Sequence, residues 1–149
     1  MAYTVFLNIH NILRLAVILA SIFVIFKTFT GWQGKKEWTK SDNLAKIIFV
    51  SLMDLQLVIG LILYAFLSPI TTSAFSNMAA AMKNKETRFF TVEHTTIMIV
   101  ALALAHIGSA KSKRADSDEA KHKTAFIFFT ISLIVVLAGI PWTRKLLPF

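Results

Sequence analysis

Cysteine is absent from the chain, and acidic residues number eight against sixteen lysines and arginines. Without thiols there are no disulfides, thiolate metal sites, iron–sulfur clusters or c-type haem attachments. No repeat of about 20–50 residues is visible, and the first two apolar segments do not resemble the last two, so a transporter built from inverted repeats is not inferred. The first apolar segment lacks a basic leader and an A-x-A cleavage site and is longer than a signal-peptide core, so it reads as a retained span. Also missing is any polar stretch long enough for a soluble catalytic or nucleotide-binding domain.

What is present is apolar. Of 149 residues 56% are hydrophobic, and the mean hydropathy is +0.64, far from the balance of a soluble domain. Crossing a hydrocarbon layer of about 30 Å takes roughly 20 apolar residues in helical form. Four stretches qualify: Val5 to Phe26, Leu44 to Leu67, Val92 to Ala110 and Ala125 to Ile140. They predict an all-α fold, a single four-helix transmembrane bundle over residues 1–149, packed by small residues.

The connectors carry the charge. Loop one, Gly31 to Asn43, offers Ser41-Asp42-Asn43 as cap oxygens for the second helix. Loop two, Ser68 to Thr91, starts with Pro69 as a helix stop and predicts a short interfacial helix over Phe75 to Met82. Loop three, Lys111 to Lys123, reads as a solvated charged turn, and Pro141-Trp142 closes the fourth helix. Loops one and three with their flanks hold ten lysines and arginines, from Lys27 to Lys46 and from Lys111 to Lys123. The other side holds five, Lys83, Lys85, Arg88, Arg144 and Lys145. The positive-inside rule then puts both termini on the outer side. Membrane topology accounts for these charges, so nucleic acid is not an expected partner.

Ionisable residues inside a span are costly and mark function or bundle interiors. The first helix has His10 and Arg14, one turn apart on one face. The second has Asp54 and Gln56, and the third Glu93, His94 and His106. At about 1.5 Å per residue, Arg14 and Asp54 reach similar mid-bilayer levels, which makes an ion pair between them plausible. These groups, with Glu93, form the expected buried polar network.

His10 lies about 8 Å in from the outer side, and His94 enters at a matching depth. Two histidines at one level on two helices are what a bundle needs to clamp a haem iron axially. On the third helix Met98, Ala101, Ala105 and Gly108 face the same way as His94, and Gly60 lies on the second helix, leaving room for a flat ring between backbones. Arg14 is then placed for a haem propionate. A second haem between His106 and His122 is not expected: His106 is turned about 120° from the His94 face, and His122, between Lys121 and Lys123, reads as exposed. Phe126, Phe128 and Phe129 read as lipid-facing or core packing.

The segments His10-Asn11-Ile12-Leu13-Arg14, Gln56-Leu57 to Gly60 with Tyr64, Phe89-Phe90-Thr91-Val92-Glu93-His94 and Ile140-Pro141-Trp142 resemble small bacterial four-helix integral membrane proteins labelled cytochrome b-like. The resemblance implies b-type haem, one per chain, ligated by His10 and His94, in a protein of the bacterial inner membrane. The first expectation for function is then an electron-transfer subunit passing single electrons between quinol or another redox protein and a partner; no substrate-oxidation site is visible, so a complete enzyme is not expected. The rival expectations are a haem-free accessory subunit, associated with other membrane subunits or with its own copies, and a small proton-coupled transporter relaying through Asp54 and the histidines.

Overall fold

The computed structural model describes residues 1–147; Pro148 and Phe149, the end of the single domain read from the sequence, lie outside that description. Four helical segments are long and apolar enough to cross a membrane: Ala2–Gln33, Lys40–Leu67, Lys85–Arg114 and Asp118–Gly139. They mark the chain as a membrane protein. Each encloses one expected span to within a residue, and no strand occurs among the described residues.

The first segment is α1, Ala2–Gln33. The second is α2, Lys40–Ile62, prolonged by a π-helical turn, Leu63–Leu67. Three short helices follow, α3 Pro69–Ser76, α4 Met78–Lys83 and α5 Lys85–Arg88. A second π-helical turn, Phe89–Glu93, leads into α6, His94–Arg114, and α7 is Asp118–Gly139.

The connectors differ from expectation in three places. The N-cap of α2 is Thr39, and of the Ser41-Asp42-Asn43 cluster Asp42 supplies a cap oxygen: the Asp42 amide donates to Thr39 Oγ1 at 3.3 Å and the Thr39 amide donates to Asp42 Oδ2 at 2.8 Å. This reciprocal box satisfies two amides that the helix start would otherwise leave orphaned. The expected helix over Phe75 to Met82 is broken at Asn77, whose side chain accepts from the Ala80 amide and starts α4 afresh. Loop three is not an extended solvated turn. Helix runs in from both sides, leaving only residues 115–117 between α6 and α7, because Ser117 caps α7 by accepting from the Ala120 amide at 3.1 Å.

The four long helices form an up-and-down bundle with both termini and α3 to α5 at one end. Helix α1 packs on α2 and α7; α6 and α7 are the closest pair and α2 and α6 the loosest. Small residues explain the close pair. Ala101, Ala105 and Gly108 of α6 are buried, the Gly108 Cα packs directly against the Phe128 side chain, and Ser132 Oγ donates to the Ala101 carbonyl at 2.8 Å. Near mid-height the Phe49 and Phe129 rings meet edge-on, centroids 5.0 Å apart. Phe129 is thus core, while Phe126 packs against Phe29 and Trp32.

Candidate functional site

A cavity of about 430 Å³ opens between the four long helices at the end that carries the termini. Its floor is apolar, Val17, Met53, Leu102 and Val136, one residue from each long helix. Higher up it is bounded by His10, Arg14, Gln56 and His94. A largely apolar concavity with a few convergent polar groups has the general form of a small-molecule site.

His10 and His94 face one another in it, with ring centroids 6.4 Å apart and planes at 72°. A metal–imidazole bond of about 2 Å, plus about 1 Å from nitrogen to ring centre, puts two axial imidazoles about 6 Å apart across a metal. His94 donates from Nδ1 to the Gly139 carbonyl at 2.8 Å, which leaves Nε2 as its free nitrogen. That bond fixes the tautomer and the orientation of the ring. Behind His10 the backbone of α2 approaches closely, since a Cβ on Gly60 would lie 3.2 Å from His10 Cε1. Gln56 Nε2 donates to the His10 carbonyl at 2.9 Å and ties α2 to α1 at this level.

Three buried polar atoms along the cavity have no hydrogen-bond partner: His10 Nδ1, Arg14 Nε and Gln56 Oε1. Orphaned buried polar atoms are rare in folded proteins and point to something that completes them. The two facing histidines and these unpartnered groups are residues that could hold a haem, with ring nitrogens of His10 and His94 available to its iron.

The mouth is built by features the sequence did not announce. Both π-helical turns lie there and are joined by Tyr64, whose hydroxyl donates to the Thr91 carbonyl at 2.9 Å. π-Turns recur at functional sites because the extra residue re-aims the side chains that follow; here the second one ends immediately before His94. Phe89 and Phe90 flank the His94 ring at 5.8 and 6.0 Å. Arg144 stacks 4.4 Å over Phe90 and pairs with Glu86. The segment after α7 folds back over the opening, where Arg14 donates to the Leu146 carbonyl.

The expected Arg14 to Asp54 ion pair is not formed. Arg14 turns to the cavity and the returning tail, and Asp54 Oδ1 instead accepts from His106 Nε2 at 2.7 Å on the flank between α2 and α6. A similar depth along two helices leaves rotation about each helix axis free. Glu93 also leaves the expected buried network: it pairs with Arg88 at 2.9 Å, with a little under half of each side chain exposed. His122, expected to be exposed, is 1% exposed. It stacks on Trp38 at 4.9 Å and lies directly against the Gly31 backbone, while His106 is engaged by Asp54. Comparison with protein-family models, curated proteins and solved structures finds no match.

Proposed function

We propose that this chain is a b-type haem protein of the bacterial inner membrane that carries single electrons, with one haem held between His10 and His94. The observation that carries the reading is the facing histidine pair at 6.4 Å across a bundle cavity. Haem supplies a reversible one-electron change at iron, while the protein supplies ligation, orientation and electrostatics. The Gly139 carbonyl makes His94 a more basic, oriented ligand. Arg14 and Arg144 bring positive charge to the cavity and its mouth, suited to haem carboxylates. The apolar floor excludes water and favours the less charged state of a bound group. With the lysine-rich end inside, both termini and the cavity mouth face outward, which places any quinol or redox-protein partner on the outer side.

The test is a dithionite-reduced minus oxidised spectrum of the detergent-purified protein, expressed with ample haem, with a pyridine haemochrome count. A sharp b-type α band at about one haem per chain supports the reading. A flat difference spectrum removes it and leaves the haem-free subunit, a reading favoured by one observation: Asp54 and His106 keep about half of their side chains exposed on the flank of the bundle. A neighbouring subunit or second copy would cover such a pair.

A further inference from the structure

Asp54 and His106 belong to two membrane-spanning segments yet stand on the outside of the bundle. His106 Nε2 lies 2.7 Å from Asp54 Oδ1, but 51% of the His106 side chain and 47% of the Asp54 side chain stay exposed. That bond engages one carboxylate oxygen and one ring nitrogen; Asp54 Oδ2 and His106 Nδ1 are not engaged by it. Ionisable side chains at this depth almost always face protein or water, because hydrocarbon offers them no partner. The residues that share their helix faces are uncovered too. At about 100° per residue, Ile47, Ser51 and Val58 of α2 fall within about 60° of Asp54, and Ile99, Ala103 and Ala110 of α6 within about 60° of His106; all are exposed. Met53 and Ala105, each turned about 100° the other way, are buried and mark the core side. The two faces therefore make one flank, joined by the Asp54–His106 bond.

This flank is complementary to itself. It carries an acid on one helix and a base on the next, at one level. Two copies inserted in the same orientation are related by a two-fold axis along the bundle, and such an axis repeats every contact in reverse. Placed flank to flank, α2 of each copy stands against α6 of the other, so that Asp54 of each meets the partner's His106. Ser51, Ala103 and Ala110 around the pair are small, which lets helix backbones approach closely, as membrane helix contacts require. We propose that this flank is the contact surface of a homodimer, with the Asp54–His106 pairs of the two copies joined in one polar cluster at its centre. His94 is turned about 120° from His106 on α6, so the dimer surface and the cavity are separate, and the dimer forms with or without haem.

The test is energy transfer between copies of the full chain. Because the chain has no cysteine, Asp116→Cys, exposed between α6 and α7, takes a single fluorescent label. Donor- and acceptor-labelled protein is mixed in dodecyl maltoside and reconstituted into dioleoylphosphatidylcholine vesicles over a range of protein-to-lipid ratios. Transfer should exceed the level of random encounters and follow a monomer–dimer curve. Asp54→Leu/His106→Leu should move the midpoint about tenfold toward higher protein, the scale of interhelical polar contacts in membranes. Ala103→Phe should move it in the same direction, since lipid accepts the added ring but close approach of a second copy does not. Leu19→Ala/Ile134→Ala, on exposed faces of α1 and α7, should leave it in place. If the Asp54→Leu/His106→Leu variant does not fold, Ala103→Phe carries the test. Transfer at the random level at every ratio would mean that lipid or a different chain covers the flank, and it overturns the proposal. A dimer curve that neither flank variant moves overturns it as well, because the contact then lies on another face.

Discussion

Asp54 and His106 are joined at 2.7 Å across the seam between α2 and α6, with about half of each side chain exposed. This is where the bundle is least closely packed, so a polar clasp bridges the helices that interdigitate least. Each group lies more than two turns from either end of its helix, within apolar sequence. There an unpaired carboxylate or imidazole is costly, and pairing removes part of that cost.

The first prediction concerns this clasp. Asp54→Asn and His106→Gln should each lower stability by about 0.6 kcal/mol and at most about 1.7 kcal/mol, the range of interhelical polar contacts in membranes. The double variant should lose little more than either single one, because both remove the same interaction. Reversible unfolding in mixed micelles, read as a double-mutant cycle, checks this; additive losses would mean that the two residues act apart.

The second prediction separates the four histidines. His10→Ala and His94→Ala should each abolish haem retention with helicity kept, while His106→Ala and His122→Ala should retain it, since neither of those two lines the cavity. Gly60→Leu should mimic loss of His10, because a Cβ alone would lie 3.2 Å from His10 Cε1 and a branched side chain displaces the ring. Haemochrome content per chain checks all five; full haem in His10→Ala or His94→Ala rejects the ligand pair.

The legible part of this protein was the part that apolar length and helical period control. The four spans, the matching levels of His10 and His94, and the buried small face of Ala101, Ala105 and Gly108 follow from rise and rotation along single helices. Pairing between helices does not, because depth along the helices of Arg14 and Asp54 leaves azimuth undetermined. His122 was hidden by its lysine neighbours, although it continues the buried face of α7 through Ala125, Phe129, Ser132, Val136 and Gly139 at helical spacing. Extending the helix one turn further would have placed it inside. The Thr39 to Asp42 box was also readable, as a threonine three residues before an acid, whereas the two π-turns at the cavity mouth carry no sequence signature.

The buried position of His122 yields a third prediction. The imidazole lies so close to Gly31 that any Cβ there would overlap the ring. Gly31→Ala should therefore cost about 1–3 kcal/mol, the usual scale of overpacking. Combining it with His122→Ala should recover much of that loss, because the obstructing ring is gone. Thermal unfolding of the two single variants and the double checks the expectation; a double variant as unstable as the summed singles would place the strain elsewhere.

Gly108 gives the contrasting case. A Cβ at this position on α6 would overlap the Cβ of Phe128 on α7, not the far end of a side chain that can rotate aside. Gly108→Ala should therefore wedge the two helices apart, and Phe128→Ala should not rescue it, since alanine keeps the offending atom. The consequence reaches the cavity. His94 on α6 is oriented by its bond to the Gly139 carbonyl at the end of α7, and a wedge between these helices strains that bond. Gly108→Ala should lower both Tm and haem retention, although Gly108 itself does not line the cavity. Haem content measured on folded Gly108→Ala protein checks the link; a loss of Tm with haem retention unchanged would show that the orientation of His94 does not depend on the α6 to α7 spacing.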